Sequence, residues 1–529
     1  MYSIGWKSAF SGESTKILLI LAIAYALFIH GIGDTSLWDP DEPRQAIMAR
    51  EMMERGDYIH PYLNGKPYLE KPPLYPWMII AASKIQGKLN EFSSRLPAAL
   101  SATCLMVIVY FLGRSLVDPV GGLLSALVLA TSLQFFHVSR EAVMDMTFAL
   151  FIGLSIFLNY VALRKDGKWL FFFSFLPSTL AILAKGPAGL VIAAGTTFIY
   201  LFTEKKLKKF MVPLIAGCLV SAAIASIWFL IAGEAYWKEF IFRQNITRYM
   251  HAFDHRQSYF FYFPKLFINF LPWSILLPFS IYHGWKKKLW LPLIWFGFTF
   301  MFFETSKSKR AIYLLPLYPA LALLCGIYLR EKWTWLLDRR PTNLTIRYFA
   351  IVLIIVVTAF GLTIYLSSIP SLTPCSGNPW LLPLFVLLIT TCFGFLAAVT
   401  KNAPIWALSL LLFFFVTVGF SYHEQYLPVM DRISRSPRII TDEVGRFAKD
   451  AQVCMVGFNS PGVIFYLGRP VESYYKIRDI KDKDDVELLI VNDKFAAPTR
   501  NEFDSQFSPV KKVVYENQGH TLYVRKNGP

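Results

Sequence analysis

Apolar stretches of about 18 or more residues, each long enough to cross a bilayer, recur from Ile17 to Phe420. A soluble fold has no place for so many, since a helix that is apolar all round belongs in a membrane or a very large core. Windowed hydropathy places candidate spans at 16–33, 95–115, 119–136, 141–162, 169–184, 186–202, 210–232, 266–284, 289–305, 309–329, 346–368, 379–400 and 404–422, about thirteen in all. Only 17% of the residues are charged, the mean hydropathy is +0.43, and the 46 Phe and 14 Trp suit lipid-facing surfaces and interfacial belts. The first run lacks a small-x-small cleavage site ahead of the acidic residues that follow, so it reads as a helix and not as a signal peptide. Cys104, Cys218, Cys325, Cys375, Cys392 and Cys454 show no paired spacing and read as small core residues.

Short basic loops set the orientation. Arg164, Lys165 and Lys168, then Lys205, Lys206, Lys208 and Lys209, then Lys286 to Lys288, then Arg330 to Arg347 all fall on one face of the span count. The positive-inside rule makes that face cytoplasmic, with the N-terminus inside and, for an odd count, the C-terminal part outside. The opposite face holds a long loop at 34–94 and another at 233–264. It is nonetheless basic, carrying Lys71, Arg243, Arg248, Arg256, Lys307, Lys309 and Arg310. Solvated loop charges are one reading of this and a shared anion site is the other. The formal charge of +17 points to anionic lipid or phosphate. Nucleic acid is not expected, because the basic residues are scattered between apolar spans.

After the membrane part, 1–424, the pattern changes. Ile439 to Lys449 has helical amphipathicity, and Val453–Gly457, Glu487–Val491, Lys512–Tyr515 and Thr521–Val524 have the β-branched and aromatic content of short strands. Residues 425–529 therefore read as a small α/β domain outside the membrane.

Five groups of residues could carry chemistry. Asp39-Pro40-Asp41-Glu42-Pro43 puts three acids within four residues, more than a helix cap needs, which makes Asp41 a candidate catalytic residue. The run that follows, Arg44 to Arg55, has apolar and charged faces and predicts a helix lying along the membrane surface, ending at Gly56. In Glu70-Lys71-Pro72-Pro73, Lys71 can hold a lipid phosphate as a point charge, and Glu70 can orient it or ligate a metal. Between Arg243 and Arg256, guanidinium groups suit phosphate. His251 there is either structural or, with Glu70, one of two ligands for zinc or another divalent metal. Asp145, at the outer start of a span, needs a partner; it belongs to a polar cavity or simply pairs with Arg140. Tyr313, beside Lys309 and Arg310, is a belt residue or a hydrogen-bond donor to the same anion.

These motifs, in order, carry a resemblance. Pro40-Asp41-Glu42-Pro43-Arg44, Arg50-Glu51-Met52, Gly56-Asp57, Leu63-Asn64-Gly65 and Tyr68-Leu69-Glu70-Lys71-Pro72 resemble the bacterial aminoarabinose transferases that modify lipid A. Those belong to the wider protein-mannosyltransferase-like superfamily with the GT-C fold. The likeness is dense over about the first ninety residues and continues through Lys185-Gly186, Asn245 to Arg256 and Tyr313 to Pro319. It departs at Gln45, where many members carry an aromatic residue. The resemblance implies a polytopic helical membrane protein of GT-C type with periplasmic juxtamembrane helices, a C-terminal periplasmic α/β domain and a place in the bacterial inner membrane. It also implies transfer of a sugar, 4-amino-4-deoxy-L-arabinose in the nearest case, from an undecaprenyl-phosphate carrier to lipid A or another glycan or protein acceptor. Asp41 and Asp145 match its acidic catalytic positions, Lys71, Arg256 and Tyr313 its lipid-phosphate positions, and Glu70 and His251 its zinc positions. A protein O-mannosyltransferase and a lipid-linked sugar flippase are the competing functions. A transporter, however, would place its charges at the midplane of repeated halves.

Overall fold

The computed structural model describes residues 12–251, 253–338, 390, 391, 394, 404–422, 424, 427–447, 452–475, 486–496 and 506–526. The expected span 346–368 and most of 379–400 lie outside these. The chain divides into two units, one of residues 1–30, 69–75 and 96–422, the other of residues 31–68, 76–95 and 423–529.

Among the described residues the regular elements of the first unit are helices. Among the described residues five helices have the length and composition to cross a membrane: Glu91–Leu116, Met144–Arg164, Lys168–Lys185, Leu207–Ala232 and Ala311–Lys332. Two sharply bent pairs raise this to seven, Pro119–Ala130 with Leu133–Ser139 and Tyr262–Asn269 with Trp273–Lys286, bent by 70° and 114°. Helices Ala188–Thr203 and Trp290–Thr305 are apolar but shorter. Small polar residues tie the central helices together where lipid offers no hydrophobic drive for association. Asn159 donates to Thr197 Oγ1 at 3.1 Å, Ser155 to the Ser174 carbonyl at 2.8 Å, Ser178 to Ser155 at 3.1 Å, and Ser221 to the Phe175 carbonyl at 2.7 Å.

This packing sets two helix ends side by side. Helix Met144–Arg164 begins with Asp145 in its first turn, and helix Leu176–Lys185 ends on Lys185. An acid at a helix N-terminus and a base at a C-terminus both complement the peptide dipoles, so the two charges meet at little cost. Arg140, the alternative partner for Asp145, goes elsewhere. Its guanidinium donates to the carbonyls of Leu27 and His30, at the C-terminal end of the first helix, which continues from Glu13–Ala24 as a wider turn over Tyr25–Ile29. It thereby satisfies carbonyls that a helix end leaves open.

The second unit holds helix Asp41–Arg55 and a hairpin of β1 (Tyr62–Leu63) and β2 (Lys66–Pro67). It also holds a five-stranded sheet of β3 (Val453–Val456), β4 (Glu472–Tyr474), β5 (Leu488–Asn492), β6 (Phe507–Tyr515) and β7 (Gln518–Arg525). The strand order is β4-β3-β5-β7-β6; β3 is parallel to β4 and β5, and the β5–β7 and β7–β6 pairs are antiparallel. Strands β3 and β5 are buried along their whole length, as the continuous apolar runs of parallel strands require.

Helix Asp41–Arg55 is not the one-sided surface helix its pattern suggests. Ala46, Ile47, Met48, Ala49 and Met52 are fully buried, and Glu42, Gln45 and Glu51 are nearly so. Glu51 accepts from the Gly65 N–H at 3.0 Å. Glu42 is gripped by Arg95, whose Nε and Nη2 donate to its two oxygens at 2.7 and 2.8 Å. Satisfied acids can be buried, and the helix face they occupy is then indistinguishable by sequence from a wet one.

Candidate active site

Within the first unit a cavity of about 310 Å³ is lined by Lys71, Lys185, Arg248 and Tyr313 among apolar side chains that include Phe148, Val191, Phe240, Ile246 and Phe303. Lys71 comes from the loop before helix Leu74–Gln86, and Tyr313 from the turn of 3-10 helix Ala311–Leu317. Arg248 follows the long π-helical segment Lys238–Thr247, which also brings Gln244 and Asn245 to the wall. Gly186 allows that approach. Its φ of +129° is a region that L side chains rarely enter, and a Cβ there would lie 2.6 Å from Asn245 Oδ1 and 3.1 Å from Phe240 Cζ.

Each cation has its own setting. Lys185 pairs with Asp145, and its ammonium stands 4.3 Å from the centre of the Tyr313 ring. Arg248 is tied to Asp254 at 2.6 Å and reaches Ser308 Oγ and Gln244 Oε1, each at 3.3 Å. Lys71 differs: among the described residues its ammonium donates no hydrogen bond. Enclosure by protein and the nearby charges of Lys185 and Arg248 push its pKa down to about 8, against the pull of Asp145 and Glu70. A cavity with three basic side chains, the phenols of Tyr249 and Tyr313, a few neutral polar groups and a mainly apolar wall has the composition to suit an anion attached to a hydrocarbon.

The structure brings Lys71, Asp145 and Tyr313 to one place and leaves three other candidates out of it. Arg256 pairs through its backbone with Ser308, but its side chain is exposed and does not line the cavity. Glu70 and His251 are both exposed. Among the described residues no group of three or more His, Cys, Asp or Glu side chains is placed to hold a metal ion. Sequence reasoning gives no site role to Lys185 and offers Arg248 only as one of seven basic residues of a possible anion site. The signal available for Lys185 was a lysine closing an apolar helix directly before a glycine.

Asp41 lies in the second unit as the first residue of helix Asp41–Arg55, half-exposed, 3.3 Å from Arg44. The turn before it is fixed on all sides. Trp38 donates its N–H to Glu42 at 2.9 Å, and its ring nitrogen to Asp431 at 2.8 Å. Asp39 is not a cap of its own helix. Its carboxylate accepts from Ser460, Tyr515 and the Gly462 N–H at the start of helix Pro461–Leu467.

Comparison with known proteins bears on both units. Residues 70–229 match the family described as dolichyl-phosphate-mannose-protein mannosyltransferase. An uncharacterised protein of Aquifex aeolicus is 30% identical over 420 residues, 78% of this chain and 80% of its own. The undecaprenyl phosphate-alpha-4-amino-4-deoxy-L-arabinose arabinosyl transferase of Pectobacterium atrosepticum is 28% identical over 337 residues. That match spans 61% of this chain and 60% of the relative, so about three-fifths of the relative's length is aligned. The crystal structure of ArnT from Cupriavidus metallidurans bound to undecaprenyl phosphate superposes with a TM-score of 0.74 at 19% identity, covering 98% of this chain and 100% of that one. The oligosaccharyltransferase of Archaeoglobus fulgidus gives a TM-score of 0.53 at 11% identity, over 93% and 70% of the two chains.

Proposed function

We propose that the chain is a glycosyltransferase of the aminoarabinose-transferase type with the GT-C fold, and that it moves 4-amino-4-deoxy-L-arabinose from undecaprenyl phosphate to lipid A. The single observation that carries this reading is the cavity in which Lys71, Lys185, Arg248 and Tyr313 interrupt an apolar wall. A polyprenyl phosphate has that composition, one anion on a long hydrocarbon.

In the reaction the bond between the anomeric carbon and the phosphate oxygen breaks, and its electron pair leaves with the carrier phosphate. Positive groups fixed where that charge grows lower the barrier without reorganising. Lys71, Arg248 and Tyr313 contact the phosphate; Asp145 orients Lys185 beside them. Arg256, exposed on the same loop, adds to the field at longer range. Asp41 is the catalytic carboxylate. Toward a hydroxyl acceptor it serves as general base. A phosphate of lipid A, with a second pKa of about 6, needs no base, and Asp41 then orients the sugar and stabilises oxocarbenium character. Glu70 and His251 are the candidate pair for a zinc ion, which would supply Lewis acidity if bound. The expected topology has thirteen spans, a cytoplasmic N-terminus and a periplasmic C-terminal domain beyond 424 in the inner membrane.

The test uses purified full-length protein with the lipid-linked sugar and lipid A, following released undecaprenyl phosphate and modified lipid A by mass spectrometry. Transfer by the wild type and its loss in Asp41→Asn are expected. Absence of transfer from any carrier-linked sugar would end the reading. Transfer to polypeptide would replace lipid A by a protein acceptor, and movement across vesicles without bond cleavage would make the chain a flippase.

A further inference from the structure

The second unit contains a carboxylate whose hydrogen-bond partners, among the described residues, are all donors. Ser460 Oγ and the Tyr515 hydroxyl donate to Asp39 Oδ2, and the Gly462 N–H donates to Oδ1 at 2.6 Å. Ser460 is itself fixed, because its Oγ accepts the Val463 N–H at 3.0 Å as the N-cap of helix Pro461–Leu467. Its proton can therefore point at Asp39. Burial pushes the Asp39 carboxyl above its ordinary range while the three donors and Arg44 pull the other way. An ionised carboxylate accepts from all three, whereas an amide in its place would turn an N–H₂ towards at least one donor.

This clamp sits two residues from Asp41, and the only intervening residue is Pro40, whose ring restricts φ. The same C-terminal segment holds the turn and the helix behind it at further points. Asp431 accepts from Trp38 Nε1 and from the Ser36 hydroxyl, both at 2.8 Å. Arg50 donates to the Phe465 carbonyl at 2.8 Å, and Asn64 exchanges two 2.8 Å bonds with the backbone of Val471. A helix needs none of this to form. Attachments before, beside and after Asp41 serve to fix where its carboxylate stands.

We propose that Asp39, held by Ser460, Gly462 and Tyr515, is a positioning residue that sets the Asp41 carboxylate for sugar transfer, and that this is the task of the C-terminal segment. The inference rests on the catalytic role given to Asp41 above. Asp39 touches neither sugar nor phosphate in this scheme; it acts through its neighbour.

The experiment compares wild type, Asp39→Asn, Tyr515→Phe, Asp41→Asn and the double variant Asp39→Asn with Asp41→Asn, as full-length protein in detergent. Three readouts are taken: kcat and KM for the lipid-linked sugar, affinity for undecaprenyl phosphate alone, and the thermal unfolding midpoint. A small displacement of a reacting group can cost up to about 100-fold, so Asp39→Asn should lower kcat by about tenfold or more and Tyr515→Phe by less, both with undecaprenyl phosphate affinity within about twofold. In the Asp41→Asn background, Asp39→Asn should cause no further loss, because residues acting as one unit are not additive. The proposal is overturned if Tyr515→Phe and Asp39→Asn keep wild-type kcat, if they lose kcat and phosphate affinity together in step with folded fraction, or if the two aspartate changes multiply. Absence of transfer by the wild type would bring down the enzymatic reading and this inference with it, an outcome told apart from the others by the wild-type lane alone.

Discussion

The cavity of the first unit and the acidic turn of the second hold the same kinds of residue, carboxylates and bases among apolar neighbours, in opposite conditions. Around Arg95 nothing is left over. Beyond its two bonds to Glu42, it donates to the carbonyls of Ile32, Thr35 and Ser36 at 2.8, 2.9 and 2.6 Å. Around Lys71 no hydrogen bond is made among the described residues, two cations stand near, and the pKa falls to about 8. A charge satisfied by its own chain builds structure, while one held in tension by its own chain still has hydrogen bonds to give. The sequence shows both as charge beside a membrane, and only the partners separate them.

That contrast can be broken most directly at Arg95. Arg95→Ala leaves Glu42 buried without its partner, and breaking a buried pair costs roughly 3–5 kcal/mol. The unfolding midpoint should fall sharply, and a midpoint unchanged by the substitution would place Glu42 among the functional acids instead. Lys71→Ala should do the reverse. Its depressed pKa means the folded protein disfavours the charged form, so removing the group should leave the midpoint unchanged or higher. Undecaprenyl phosphate binding, measured by titration, should weaken by about 10- to 100-fold, the worth of a charge-assisted hydrogen bond of about 1.5–3 kcal/mol.

The pH dependence sharpens the same point. Lys71 is protonated below its pKa of about 8 and neutral above it, so in the free protein the cation is lost as pH rises through that value. Bound phosphate favours the protonated form, and affinity should be full at pH 7 and decline above about 8, with one proton taken up per ligand bound. Lys71→Arg, charged throughout this range, should flatten the profile; a slope that survives in Lys71→Arg would assign the proton to another group. The smallest expected difference separates two arginines. Arg248→Ala should weaken binding by about tenfold and Arg256→Ala by about twofold or less, as an exposed charge is screened by water and salt. Equal effects would mean that the loop carrying Arg256 closes over the ligand.

Much of the molecule is legible from sequence because its signals are local. The apolar runs overlap the five helices, seven with the bent pairs, that among the described residues are long and apolar enough to cross a membrane, and four of the five strands of the C-terminal sheet overlap stretches of β-branched and aromatic residues; the three-residue β4 is too short to show a pattern. Lys71 and Tyr313 stand out as polar groups between apolar runs. The misses are all long-range. Asp145 finds Lys185 forty residues later and Glu42 finds Arg95 fifty-three residues later. Neither distance leaves a trace in periodicity. The choice of Arg248 over Arg256 for the cavity wall depends on where a π-helical segment ends, which hydropathy does not report. Helix Asp41–Arg55 misled for a related reason, since a buried acid with a distant partner has the same letter as a solvated one.

Gly186 gives the cavity a property that has nothing to do with affinity. With Asn245 and Phe240 pressed against the space a Cβ would fill, the wall tolerates one hydrogen atom there and no more. Under random replacement of that codon, survivors selected for activity should return glycine almost alone, while neighbouring lining positions such as Val191 should drift among residues of similar bulk. A single position would then report, in the statistics of a library, that the segment carrying Arg248 has to lie flat against the end of its neighbouring helix for the protein to work.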